Sequence, residues 1–220
     1  MWYGILKKER NMPVILSWLG HASFLISGSS TVYIDPWKID GEPHDGDLVL
    51  ISHSHYDHLS PEDIRAVSKE KGRIVGSRDV VEDLGYGEVL TPGGEYSSTT
   101  LKVEGVAAYN VEKEFHPKEN EWLGFVIEID GKRIYYAGDT DAVKEMESLE
   151  NIDVALLPVG GTYTFSAEEA AAALSVFKPR KVIPYHWGVV VGHRKDAVKF
   201  SKKTDVPVEI LSPMDSIYLD

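Results

Sequence analysis

The chain has 220 residues, 43% of them hydrophobic and 26% charged, the balance of a globular protein rather than a disordered or collagen-like one. Thirty-five acidic residues against 23 basic ones give a formal charge of −12; such a field repels phosphate backbones and argues against general nucleic-acid binding. Cysteine is absent, so disulfides, thiolate zinc sites, iron–sulfur clusters and cysteine nucleophiles are excluded together.

No apolar run reaches the length of about 18 residues that a membrane helix needs. The first 18 residues, MWYGILKKERNMPVILSW, have no long apolar stretch followed by a small-residue cleavage site, which reads as a cytoplasmic protein. Glutamine is also absent and asparagine occurs four times, a composition that hints at a heat-adapted source. With no internal repeat, low-complexity tract or Ser/Gly linker, residues 1–220 read as one domain.

In chain order, VILSWL (14–19), SFLIS (23–27) and TVYID (31–35) read as strands, with a turn at Gly28-Ser29-Ser30. DLVLIS (47–52) is nearly all apolar, as expected of a strand buried on both faces. A helix follows, with Ser60 as N-cap, Pro61 in its first position and Gly72 as its stop. RIVGS (73–77) is a strand, 78–84 a short helix, and 87–107 a set of strands joined by turns such as Pro92-Gly93-Gly94.

GFVIEID (124–130) and KRIYYA (132–137) flank Asp130-Gly131, a hairpin signal. A helix is expected over 141–149 and a buried strand at VALLP (154–158). Ser166 and Glu169 make a capping-box pattern before AAAALSVF. KVIPYH (181–186) is a strand, 194–203 a helix and VPVEIL (206–211) a strand. Each half gives strands first and strand–helix alternation afterwards. Two packed sheets with helices on their outer faces accommodate that order, as an α+β or α/β protein.

Eight histidines occur, at 21, 44, 53, 55, 58, 116, 186 and 193. Three of them fall in the six-residue window His53-Ser54-His55-Tyr56-Asp57-His58, directly after the buried strand DLVLIS. Neutral imidazoles and a carboxylate are good ligands for borderline divalent metals. Four such groups in six residues crowd a single ion, and two adjacent ions suit them better. Asp139 in Gly138-Asp139-Thr140 and His186 in Pro184-Tyr185-His186 likewise stand where an apolar strand stops.

These motifs resemble the metallo-β-lactamase superfamily of metal-dependent hydrolases: HSHYDH at 53–58, the Asp of GDT at 139 and the late His186. SWLGHASFLI, YIDPW, YYAGDTD and VALLPVGGTYT add a likeness to the small lactonase-like hydrolases related to L-ascorbate-6-phosphate lactonase. The resemblance implies a four-layer αββα sandwich with a dinuclear site at one edge. His53, His55 and His116 would bind one divalent ion, Asp57, His58 and His186 the other, and Asp139 both. The place where relatives often carry the third histidine reads Ala108-Tyr109-Asn110 here, so His116 has to reach back to serve.

Zinc is the expected metal, with manganese or iron as alternatives. The implied reaction is hydrolysis of a small ester, lactone or phosphoester by a water that two ions activate as hydroxide, with Asp57 as general base. The alternatives are a nuclease-type phosphodiesterase and a non-catalytic metal-binding sensor on the same fold. A small-molecule substrate is expected, with neither nucleic acid nor membrane as partner.

Further candidates surround this set. His21 in LGHAS could face the pocket or pack as a structural histidine. Asp35 could orient a metal-binding histidine from behind or simply form the turn before Pro36. Thr162 and Tyr163 precede a helix start that favours anions, and His193-Arg194-Lys195 begin the last helix. Trp37, Tyr56, Trp122 and Trp187 are candidate pocket walls, VVV at 189–191 a patch or a buried strand end, and His44 a surface residue.

Overall fold

The computed structural model describes residues 13–219; residues 1–12, on which most of the targeting-signal reading rests, lie outside them. The first half opens on a strand whose alternate residues Val14, Leu16 and Trp18 are buried, β1 (Val14–Gly20), the period-two pattern of a strand with one face on a core. Two antiparallel strands follow, β2 (Ser23–Ser27) and β3 (Thr31–Ile34), and then β4 (Gly46–Ile51), parallel to β3. Leu48 and Leu50 of β4 join the central core, while Val49 and Ile51 join a second cluster on the other side. This strand is buried on both faces, as its apolar run requires.

Helix α1 (Pro61–Val67) starts as its sequence dictates: the Ser60 hydroxyl accepts from the Asp63 N–H at 3.3 Å, with Pro61 in the first turn. It does not run to Gly72. The chain leaves it at Ser68, whose hydroxyl caps the Ile64 carbonyl at 2.6 Å, and pairs at once with Gly46 to begin β5 (Ser68–Gly76). Gly72 serves strand pairing instead, because a Cβ there would stand 2.7 Å from the Gly46 carbonyl oxygen. Helix α2 (Arg78–Leu84) and the two-residue β6 (Glu88–Val89) complete this half.

The second half contains β7 (Glu95–Ser97), β8 (Leu101–Ala107), the hairpin β9 (Leu123–Ile129) and β10 (Lys132–Tyr136), and β11 (Val154–Pro158). Then come α3 (Ala167–Phe177), β12 (Lys181–Tyr185), α4 (Arg194–Ser201) and β13 (Ser216–Leu219). The predicted capping box opens α3, with Ser166 and Glu169 bonded reciprocally.

The segment 141–149 is not an α-helix. Only a 3-10 turn forms at Lys144–Ser148, with Val143, Met146 and Leu149 pointing inward at its three-residue spacing. The Asp141 carboxylate is already committed, capping the Val111 N–H at 3.0 Å and pairing with Lys113. The expected strand at 206–211 reduces to a bridge between Val208 and Val182, since Pro207 has no N–H to extend a ladder. The last strand is β13, which pairs antiparallel with β1.

Among the described residues these strands form two sheets, ordered β13-β1-β2-β3-β4-β5-β6 and β12-β11-β10-β9-β8-β7. Their inner faces share one core built on Trp18, Phe24, Phe125, Tyr136 and Tyr185. Ile64 and Val67 of α1 and Val80 of α2 cover the outer face of the first sheet. Ala170, Leu174 and Phe177 of α3 cover the second, with Phe177 edge-on to Tyr135 at 5.6 Å. The architecture is a four-layer αββα sandwich. The parallel strands of both sheets end at one edge, and that edge carries the loops after β3, β4, β10, β11 and β12.

Candidate metal centre

Except for His116, which lies in the loop between β8 and β9, the candidate ligands stand just past the end of one of these strands. His21 follows β1, Asp35 follows β3, His53 to His58 follow β4, Asp139 follows β10 and His186 follows β12. His21, Asp35 and His186 adopt left-handed backbone conformations, with φ of 48°, 43° and 60°. Each such conformation costs a non-glycine residue about 1–3 kcal/mol, and here it turns the side chain off the strand and into the site. Asp139 is delivered by Gly138 at φ 68°, where a Cβ would stand 2.4 Å from the Leu123 carbonyl oxygen.

The candidate ligands, all buried except the half-buried His55, fall into two clusters that a third group, His53, His58 and Asp139, links. His53, His55 and His116 bring ligand atoms within 4.8 Å of one another, and so do His21, Asp57, His58 and His186. Asp139 stands between them. One of its oxygens is 3.4 Å from His58 Nε2; the other is 3.3 Å from His116 Nε2 and 3.1 Å from His186 Nε2. His53 Nε2 and His55 Nδ1 are 3.1 Å apart. Ligands at about 2.0–2.1 Å around a tetrahedral ion are themselves roughly 3.4 Å apart, so these spacings fit ions of zinc size.

Unpartnered polar atoms point the same way. His58 Nε2, His116 Nε2, Asp139 Oδ1 and both ring nitrogens of His186 are buried without a hydrogen-bond partner among the described residues. Buried polar atoms are seldom left so, and a cation supplies what they lack. Asp139 lies well below the carboxylate range: burial raises it, but the nearby His186 and His58 outweigh that. His58 is raised well above the imidazole range, because Asp139 and Asp35 overcome the lowering by burial. Burial, with His58 beside it, lowers His53, and burial lowers His55, so both present neutral lone pairs.

Behind the clusters lies a supporting shell. Asp35, fully buried, accepts from the Ser52 N–H (2.7 Å) and hydroxyl (2.5 Å), the Tyr136 hydroxyl (2.7 Å) and His58 Nδ1 (2.7 Å). It turns the His58 Nε2 toward Asp139. His21 Nε2 lies 2.9 Å from Asp57 Oδ2, and its ring is 4.1 Å from that of His186. Burial brings His21 down to about 4, so it is neutral near pH 7. Burial pushes Asp57 up, but the His21 hydrogen bond and the His58 charge prevail and hold it at about 2.

His116 reaches the site by way of Asn110, whose side-chain oxygen accepts from the His116 backbone N–H at 3.0 Å and ring Nδ1 at 2.9 Å. In the sequence Asn110 shows only as standing where relatives often carry the third histidine, which gives no sign of this role. Nor does the sequence show the link from Trp122 to Asp79. The indole lies 4.8 Å from the rings of His53 and His55 and 5.5 Å from His116, and its N–H donates to Asp79 at 2.6 Å. No local motif announces either contact.

A cavity of about 200 Å³ opens over the clusters, lined by His55, Tyr56, Asp57, Phe115, His116, Asp139, Tyr163, His186 and Val190. Trp37 stands behind it against His21 and Tyr56, whereas Trp187 is packed on Trp18. His193 does not reach the cavity: it is exposed, and its N–H is tied to Asp196 at the start of α4. Thr162 and His44 are exposed as well. The VVV segment is neither a strand end nor a closed core, since Val189 is 58% exposed and Val190 lines the cavity.

Comparison with known proteins agrees with this fold. A family model described as a beta-lactamase superfamily domain matches residues 15–186. A UPF0173 metal-dependent hydrolase of Thermococcus onnurineus is 35% identical, over 90% of this chain and 95% of its own length. Another, from Pyrococcus abyssi, is 34% identical over 94% of this chain and all of its own.

Among solved structures, Igni18, a metallo hydrolase of the hyperthermophilic archaeon Ignicoccus hospitalis, superposes with a TM-score of 0.77 at 25% identity, covering 94% of this chain and 99% of that one. YhfI of Bacillus subtilis, a metallo-beta-lactamase fold protein, shares the fold at 13% identity with a TM-score of 0.72, covering 94% and 99%. The chain belongs to the UPF0173 metal-dependent hydrolases of the beta-lactamase superfamily. Relatives from heat-loving sources are in keeping with its composition.

Proposed function

We propose that the chain is a dinuclear hydrolase of a small ester, lactone or phosphoester. The observation that carries this reading is Asp139, set between two imidazole clusters in which His58 Nε2, His116 Nε2 and both His186 ring nitrogens are buried without partners. His53, His55 and His116 would hold one ion, Asp57, His58 and His186 the other, and Asp139 both. Divalent ions so held lower the pKa of water to near neutrality and polarise a substrate oxygen.

The chain's own groups do the rest. Asp57 is ionised at any working pH and accepts the proton of the attacking water, while the bond from His21 fixes its orientation. Asp35 holds the His58 ring and Asn110 holds that of His116, so each presents the right nitrogen without reorganising. The burial of His53, His58, His116, Asp139 and His186 strengthens the electrostatic contacts among them. The cavity volume and the −12 charge favour a small molecule over a nucleic acid. Among the described residues, no helix is long and apolar enough to cross a membrane.

The test is hydrolysis by protein loaded with zinc or manganese. Asp57→Ala and His186→Ala should each lower turnover by about 10²-fold or more, the usual scale of a positioned acid–base group. Undiminished turnover in chelator-stripped protein contradicts the proposal.

A further inference from the structure

We propose that the substrate is uncharged and carries an apolar arm, which Phe115 and Tyr163 grip beside the reacting groups. This rests on the hydrolase reading above and narrows its substrate class. The lining residues that are not candidate ligands are Tyr56, Phe115, Tyr163 and Val190, and none of the lining residues is Lys or Arg. Phe115 and Tyr163 meet edge to face, with centroids 4.7 Å apart and planes at 90°, a preferred aromatic geometry.

The apolar character extends outward. Tyr56 is 67% exposed, Phe115 47%, Val111 62% and Val189 58%, and all four stand on the loops at 53–58, 110–116 and 186–193 that carry candidate ligands. Tyr56 and Phe115 also line the cavity, and exposed apolar side chains at a cavity mouth mark a binding surface.

Charge argues for the same occupant. A phosphate group is normally met by a cationic clamp. The lysine of the 110–116 loop, Lys113, is already paired with Asp141 and Glu169, while the exposed Glu112 and Glu114 precede Phe115 in that loop. An anionic substrate would pair with the proposed ions alone, passing carboxylates at the mouth and meeting no Lys or Arg in the lining, whereas a neutral one needs no such clamp. The volume of about 200 Å³ equals roughly seven waters at about 30 Å³ each, room for a ring or a short acyl chain.

The test uses the full chain with its metal content measured on the same sample. Hydrolysis of a phenyl ester series from acetyl to hexanoyl is compared with that of phenyl phosphate. Each methylene that is buried should raise kcat/KM by up to about fourfold, and the phosphate should be at least a hundredfold poorer than the hexanoyl ester. Phe115→Ala should lower the hexanoyl-to-acetyl ratio at least fivefold, Phe115→Leu should restore most of it, and the surface control Val176→Ala should leave it unchanged.

A ratio indifferent to chain length or to Phe115, or a preference for the phosphate, overturns this inference while leaving the hydrolase reading intact. No turnover of any member by protein holding two ions per chain overturns both.

Discussion

Asn110 and His116 are joined three times: the Asn110 side-chain oxygen accepts from the His116 backbone N–H at 3.0 Å and from ring Nδ1 at 2.9 Å, and the Asn110 N–H donates to the His116 carbonyl at 2.8 Å. The pair closes the seven-residue loop 110–116 and fixes the ring with its Nε2 toward Asp139. A histidine whose Nδ1 donates keeps its Nε2 lone pair free for a metal. Asn110→Ala should therefore weaken metal binding at the three-histidine cluster by about 10–100-fold, and Asn110→Asp, which keeps the acceptor, should weaken it less. Zinc titration against a chromophoric chelator measures both variants. Equal affinities in wild type and Asn110→Ala would show that the ring needs no such support.

Trp122 makes a separate prediction. Its indole is 6% exposed, packs on three histidine rings and is anchored to Asp79. Trp122→Ala should cost about 3–5 kcal/mol of stability through the cavity it leaves. Asp79→Asn should leave the fold nearly intact and loosen the three-histidine cluster alone. Thermal melts read the first effect, and stepwise zinc titration reads the second. An Asp79→Asn variant with two unaltered binding steps would contradict the coupling.

Asp35 gathers four donors at a site with no water access. Asp35→Ala leaves the Tyr136 hydroxyl, Ser52 and the raised His58 without their acceptor, and should cost about 3–5 kcal/mol in urea unfolding. A loss below 1 kcal/mol would mean that the buried donors find other partners.

The stripped protein should show an acid-side loss of stability that depends on His21. Burial holds this residue at about 4 against an ordinary 6.5. As pH falls from 6.5 to 4, the unfolded chain takes up a proton here and the folded chain does not, so stability falls with pH, by about 3 kcal/mol in all. His58 acts in the opposite sense: its raised value stabilises the fold at low pH and is lost as pH rises through it. His21→Asn isolates the first effect. Urea unfolding in chelator should show the variant gaining on wild type from pH 6.5 down to 4; a constant difference across that window would contradict a neutral buried His21.

Much of this was legible in the chain because the signals are local. Ser60-Pro61, Ser166 with Glu169 and Asp130-Gly131 are turn and cap chemistry, and the structure uses each as read. HSHYDH follows a strand buried on both sides, so its place at a strand end could be inferred. Contacts between distant segments could not. β13 pairs with β1 across nearly the whole chain, Trp122 finds Asp79 43 residues away, and the expected helix at 141–149 yields to Asp141 binding a loop 30 residues earlier. Gly72 looked like a helix stop because glycine ends helices, yet its use is close strand approach.

The most direct measurement is metal content per chain by elemental analysis, on protein purified without chelator or histidine tag, with His116→Ala beside it. Two ions in the wild type and a fall toward one in the variant are predicted, since His116 and Asp139 close the gap between the clusters at 3.3 Å. One ion or none in the wild type, unchanged by the substitution and not restored by added zinc or manganese, would contradict the dinuclear centre.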